Sequence, residues 1–182
     1  MSLIEILQDL VGKVPELLQP VIVAAAGAIP FIEGEGGVAI GIIGGINPVV
    51  AAIAAMAGNF LCVAALVLLS SGARNAVVTR HRAKAAARAG APAGGETVLM
   101  TAPTDSSRSA TRKAKFQRAY ERYGVPGVSL LGPLLLPTHF TATMLAASGV
   151  GKARILIWQA VAIIAWTTLT ALIVSGVINA VG

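Results

Sequence analysis

Cysteine is nearly missing from this chain: 182 residues contain one, Cys62. A single thiol excludes an intrachain disulfide and a cysteine-ligated metal site, and inside an apolar run it is expected to act as a small buried hydrophobe. Charge is scarce as well. Asp, Glu, Lys and Arg make up 12% of the residues against 55% hydrophobic, where soluble domains average about 25% charged. With a mean hydropathy of +0.78, that balance excludes an ordinary water-soluble domain and indicates an all-α integral membrane protein. Catalytic motifs are missing too: there is no HExxH, no GxSxG and no paired-Asp motif, and Ser129, His139 and the glutamates lack triad spacing. The expectation is a protein that is not an enzyme and uses no metal or other cofactor.

The charge that is present is concentrated. Eleven of the fourteen Lys and Arg residues lie between Arg74 and Arg122. Although the pI is about 10.1, a Lys/Arg excess in one loop beside apolar spans marks the cytoplasmic side of a membrane protein, not a nucleic-acid surface. The basic loop 72–122 is therefore expected in the cytoplasm, with His81 solvated among its arginines, and no nucleic-acid partner is expected.

About 20 residues cross the roughly 30 Å hydrocarbon layer of a bilayer. The clearest crossings are Pro48 to Ser71 and Ile155 to Ile178, both long and almost uncharged. Before the first, Leu3, Leu7, Leu10, Val14 and Leu17 recur every three or four residues with Glu5, Asp9, Lys13 and Glu16 off the stripe. This predicts an interfacial helix over 2–18, bent or ended by Pro15, and the basic leader of a cleaved signal peptide is lacking.

Between these segments lies PFIEGEGGVAIGIIGG, residues 30–45, with Glu33 and Glu35 inside apolar sequence. Ionisable groups at membrane depth are costly and mark functional sites by default. A half-helix over 20–32 rises only about 20 Å, less than a full crossing. Residues 20–46 thus predict a re-entrant hairpin whose return limb, with Gly37, Gly41 and Gly45 at four-residue spacing, admits another helix backbone closely or contacts substrate. A homodimer through this limb is possible on the pattern alone.

After the crossing 48–71, a basic helix and flexible cytoplasmic linker are expected over 72–104, then a second interfacial helix over 106–123 capped by Asp105 or Ser106 and carrying Phe116, Tyr120 and Tyr123 against anionic headgroups. Residues 124–150, GVPGVSLLGPLLLPTHFTATMLAASGV, repeat the grammar of apolar limb, proline, polar tip and apolar limb. Re-entry of this segment returns Lys152 and Arg154 to the cytoplasmic side, ahead of a transmembrane helix over 153–180. Residues 1–71 and 105–182 then form an inverted repeat of interfacial helix, re-entrant helical hairpin and transmembrane helix, aligned from Pro30 and Pro137. Such repeats, with broken helices meeting near the midplane, characterise secondary transporters.

On these residues the chain resembles the small multidrug export family, within or near the DedA/VTT superfamily of bacterial membrane proteins. The portion PFIEGEGGVAIGIIGGINPVVAAIAAMAGN, residues 30–59, looks like that family's progression of Pro, Glu, small residues, Gly, Pro and Gly-Asn, and LLGPLLLPTHFTATMLAASGVGKARI looks like its proline-led second hairpin. The resemblance covers both apolar halves and not the basic linker. It implies two facing re-entrant hairpins in a bacterial inner membrane, with a role in transport or lipid translocation.

Two functions compete. In the first, Glu33 or Glu35 exchanges a proton for a small amphipathic or cationic substrate, because burial favours the neutral form of a carboxyl and two acids so close together favour it further. His139, Thr138, Thr141 and Thr143 supply the opposing polar wall, and Pro30, Gly34, Gly36, Gly37 and Pro137 line the site. Two plainer roles stand beside this one: a glutamate capping a half-helix N-terminus, and His139 making a local hydrogen bond. In the alternative, a DedA-like translocase moves an anionic lipid phosphate such as a polyprenyl phosphate. The tips offer no Arg or Lys for phosphate, leaving helix ends, hydroxyls and a rim contact from Lys152 and Arg154. Membrane lipids are partners in either case.

Overall fold

The computed structural model describes residues 3–89, 123–134 and 136–181. Within these residues all regular structure is helical. The linker from residue 90 onward and all but the last residue of the expected interfacial helix 106–123 lie outside the described residues, with Asp105 and Ser106.

The first helix, α1, is Leu3–Lys13. It stops two residues before Pro15, whose ring and missing N–H do not fit a helix interior. α2 is Gln19–Gly27, with Pro20 in its first turn, where no N–H is needed. The helix ends earlier than the expected residue 32, because Pro30 biases Ile29 out of helical geometry. Residues 28–32 turn, and α3 follows at Glu33–Ile43. At about 13 and 16 Å, α2 and α3 are each roughly half a bilayer core in length.

α4 is Pro48–Ala89, 42 residues. The expected crossing 48–71 and the basic helix after it are thus one continuous helix, since nothing between Ser71 and Ala89 breaks it: the run has a lone Gly72 and no proline. α5 occupies 123–134 and α6 is Thr138–Ala147, separated at Pro137. α7 is Lys152–Val181. α4, over Pro48–Arg80, and α7 are long and apolar enough to cross a membrane.

Two glycine contacts bind α2 to α4. A Cβ on Gly27 would lie 2.6 Å from the Ala55 carbonyl oxygen, and one on Gly58 would overlap the Ala24 carbonyl oxygen. Only backbones without side chains come this close. On α3, a Cβ on Gly37 would meet the Gly27 backbone nitrogen at 3.0 Å, and one on Gly41 would meet Ala51 Cβ at 2.8 Å. The four-residue glycine spacing is therefore used inside the chain. Gly45, third in that spacing, does something else: its φ of +88° ends α3. The Gly45 N–H donates to Ile42 O and the Ile46 N–H to Gly41 O, both at 3.0 Å, which is the Schellman pattern that requires a left-handed residue.

α4 presents Ala51, Ala55, Asn59, Val63, Val67 and Ser71 to the interior at four-residue steps, and α7 presents Ile155, Gln159, Ile163, Thr167 and Ala171. Ala51, Ala54 and Ala55 cluster with Val23, Ile40 and Ala171. Val63 and Val67 cluster with Leu145, Ile155 and Ile163. The start of α4 thus lies by the end of α7, so the two long helices run antiparallel. The outside is apolar, with Ile53, Leu61, Leu69, Ile157, Leu172 and Ile173 all more than 55% exposed. An apolar exterior over a core that holds Glu33, Asn59, His139, Gln159 and Thr167 departs from the pattern of a water-soluble bundle and suits a lipid surround.

Candidate functional site

The polar interior is built where the two interrupted helix pairs touch. Glu33, the first residue of α3, is 6% exposed although it carries a carboxyl group. Thr138 and His139 open α6 opposite it. Thr138 Oγ1 donates to Glu33 Oε2 at 2.8 Å, and His139 Nδ1 lies 3.1 Å from Glu33 Oε1. One proton between those last two atoms makes the bond: Nδ1–H donates to the carboxylate, or the carboxyl O–H donates to Nδ1. Beside this contact the Phe31 and Phe140 rings meet with centroids 6.0 Å apart at 54°, a tilted arrangement favoured by aromatic quadrupoles.

The backbone that aims Glu33 is unusual. Phe31 and Glu33 have φ of +75° and +54°, the two non-glycine residues with positive φ among those described. A side chain in the left-handed region costs of order 1–3 kcal/mol and persists where its surroundings hold it. Here the buried hydrogen bonds and the aromatic contact do the holding. Neither Ile32 before α3 nor Pro137 before α6 supplies a side-chain cap, and Glu33 and Glu35 both stand in the first turn of α3. Glu33 reaches across to the first turn of α6, where the helix dipole favours a negative group.

From Thr138 the polar contacts continue inward. Thr141 Oγ1 donates to Thr138 O at 2.8 Å, and Gln159 Nε2 of α7 lies 3.4 Å from Thr141 Oγ1. On the other side, Gly34 faces Asn59 of α4 and Thr167 of α7. A Cβ on Gly34 would overlap Thr167 Oγ1 and come within 3.4 Å of Asn59 Nδ2. Asn59, Gln159 and Thr167 are at most 1% exposed. Asn59 Oδ1, Gln159 Oε1, Thr167 Oγ1 and His139 Nε2 are buried without a hydrogen-bond partner, which is rare in folded proteins.

The structure thus brings Glu33, Gly34, Thr138, His139 and Thr141 together. The other expected site residues make none of these hydrogen bonds. Glu35 is half-buried and outside the contact with Thr138 and His139. Pro30 is exposed, Pro137 precedes the first turn of α6, and Gly36 abuts its own neighbour Ile32, with a Cβ position 2.8 Å from Ile32 Cγ2. Gly37 packs on Gly27. Thr143 donates to Phe140 O of its own helix at 2.9 Å. Lys152 and Arg154 are exposed at the start of α7. Sequence reasoning passed over Asn59, Gln159 and Thr167. Their signal was polar residues at four-residue multiples in mainly apolar stripes, Asn59 and Ser71 on α4 and Gln159 and Thr167 on α7.

The Gly34 contact yields a compensating pair. Gly34→Ala is expected to lower stability by about 1–3 kcal/mol, the usual cost of overpacking, and to impair the site. Adding Thr167→Ala removes the oxygen the new methyl meets and should recover most of the loss. Thermal unfolding of both proteins in detergent checks this; a double variant no better than Gly34→Ala alone would show that α3 and α7 do not meet there.

Comparison of the chain with protein-family models, curated proteins and solved structures finds no match. The site's own geometry is what bears on function.

Proposed function

We propose that this protein is a secondary transporter of a bacterial cytoplasmic membrane, exporting small amphipathic or cationic compounds in exchange for protons through a site between two facing re-entrant hairpins, 20–46 and 124–150. The observation that carries this reading is the buried Glu33 carboxyl, shared between Thr138 and His139 where the two hairpins touch. A carboxyl held from water needs a proton or a positive partner. His139 gives Glu33 a route for the proton, and a cationic substrate is the partner that displaces it.

The depth of the site supports the reading. Asn59 is eleven residues from Pro48 and twelve from Ser71, about 17 Å of helix either way. Thr167 has the same place between Ile155 and Ile178. Both residues flank Gly34, which sets the site near the middle of the proposed spans.

An inverted repeat is supported by two correspondences. Pro30 and Pro137 are 107 residues apart, and that offset carries Phe31 onto Thr138 and Glu33 onto Phe140. The pair Phe31–Phe140 then maps onto the pair Glu33–Thr138, which is the reciprocity of a two-fold contact. At the other end of each return limb, Val150 N–H donates to Leu145 O and Gly149, with φ +87°, to Ala146 O, repeating the bonds that end α3. Two halves of one design, inverted across the membrane, permit the site to open to either side in turn. In this topology the basic loop 72–122 is cytoplasmic, as the positive-inside rule requires.

The lipid-phosphate reading finds less support. Lys152 and Arg154 stand at the start of α7, about 20 Å of helix from Thr167, and the tip contact presents a carboxyl group to any anion. The proposal also agrees with the resemblance to the small multidrug export family.

The test is reconstitution in liposomes with an interior pH dye. Adding tetraphenylphosphonium, which is permanently charged, or benzylguanidinium, which is charged at neutral pH, is expected to drive proton movement that protein-free liposomes lack. Absence of protein-dependent movement with both cations, in correctly folded protein, overturns the proposal.

A further inference from the structure

The polar layer inside the bundle contains hydrogen-bonding groups without partners. Asn59 Oδ1 and Gln159 Oε1 are amide oxygens and can only accept, and neither has a donor; nor do Thr167 Oγ1 and His139 Nε2 have partners. Each such group buried unpaired lowers the stability of the fold. A fold needing only a core at these positions would use an apolar side chain, as it does one turn away at Ala55, Val63 and Ile163. The residues that carry the unpaired atoms adjoin Glu33 on two sides: Gln159 through Thr141 and Thr138, and Asn59 and Thr167 against the next residue, Gly34.

The geometry points to a binding site in this layer for an organic cation that carries N–H donors, such as a guanidinium or a primary ammonium, with Glu33 taking the charge and Asn59, Gln159 and Thr167 taking the donors. This rests on the transporter reading and narrows its substrate. An anion would face a carboxyl group, and among the described residues the lysines and arginines with described side chains are at the exposed surface. A neutral apolar compound would leave the amide oxygens unpaired. A quaternary ammonium satisfies the charge alone. A guanidinium satisfies both, with five N–H donors in a planar fork. Four helices contribute: α3 and α6 bring the carboxyl and imidazole, while α4 and α7 bring the amides and Thr167.

The experiment compares two cations that share ring and charge and differ in donors. Benzylguanidinium and benzyltrimethylammonium are titrated into the full chain in lipid nanodiscs, with binding read by calorimetry. Wild type is expected to bind benzylguanidinium at least about 10-fold more tightly, since a site built to pair polar groups discriminates against a ligand lacking them. Asn59→Leu, Gln159→Met and Thr167→Val keep the shape and remove the acceptors. Each should reduce the preference severalfold, with a melting temperature equal to wild type or higher. Equal binding of the two cations by wild type overturns the inference, as does a preference that survives in all three variants. Equal binding that still requires Glu33 would do so while leaving the transporter reading intact. No binding of either cation, joined to an absence of proton movement in liposomes, removes both.

Discussion

Glu33→Gln is expected to abolish cation-driven proton movement in liposomes, while Glu35→Gln retains most of it. The two residues lie on the same turn of α3, and sequence alone does not separate them. Their surroundings do. Glu33 is 6% exposed and held by Thr138 and His139 of α6, whereas Glu35 is half-buried and outside that contact. Gln fits the Glu33 position: its oxygen accepts from Thr138 and its NH2 donates to an unprotonated Nδ1 of His139. The variant should therefore fold and still hold the tips together, and its loss of coupling should be of the order of 100-fold or more, because an amide neither takes up nor releases the proton. Glu33→Ala is a different experiment. It leaves Thr138 and His139 buried without their partner, at about 1–3 kcal/mol each, and its defect would mix function with stability. Full coupling in Glu33→Gln, or its loss only in Glu35→Gln, would move the proton site along α3.

Gly58→Leu should prevent folding altogether. A Cβ at this position would overlap the Ala24 carbonyl oxygen and crowd the Ala24 carbonyl carbon. These are backbone atoms in the middle of α2, and no rotamer change moves them. α2 would have to leave α4, and with it the Gly27–Ala55 contact and the packing of Gly37 and Gly41 of α3. α3 carries Glu33, so the site is lost with the fold. Even Gly58→Ala is expected to fail, in contrast to Gly34→Ala, where the obstruction is one side-chain oxygen that a second substitution removes. Gly72→Ala is the control, since nothing lies within 4 Å of its Cβ position. Size-exclusion profiles of the three variants in mild detergent check the order: Gly72→Ala monodisperse, Gly58→Ala and Gly58→Leu aggregated or absent.

The parts of this architecture that sequence made legible are those fixed by composition over a long stretch. Two runs of more than twenty apolar residues, at 48–71 and 155–178, gave α4 and α7 because length and hydropathy need no partner to be read. Pro15, Pro30 and Pro137 marked three interruptions, since proline acts on the backbone wherever it stands. The two tips were legible as polar islands in apolar sequence. That Glu33 and not Glu35 meets Thr138 and His139 was not, because both acids share a turn and only the left-handed backbone at Phe31 and Glu33 aims one of them across. The continuity of α4 to Ala89 was hidden by a change of composition at Ser71 that is not a change of conformation. Gly45 shows the same limit in reverse: it shares the spacing of Gly37 and Gly41, yet ends the helix, which depends on a φ that spacing does not encode. Asn59, Gln159 and Thr167 were scattered polar residues in two long apolar helices, and what distinguishes them is their burial: Asn59 and Thr167 flank Gly34, and Gln159 reaches Thr141.

The most direct test of the account is proton release on substrate binding. Purified protein in weakly buffered detergent at neutral pH is mixed with saturating benzylguanidinium, and the change in bulk proton concentration is read with an indicator dye. Release of up to about one proton per chain is expected, absent in Glu33→Gln and retained in Glu35→Gln. Binding of the cation without any release, or release that persists undiminished in Glu33→Gln, would contradict it.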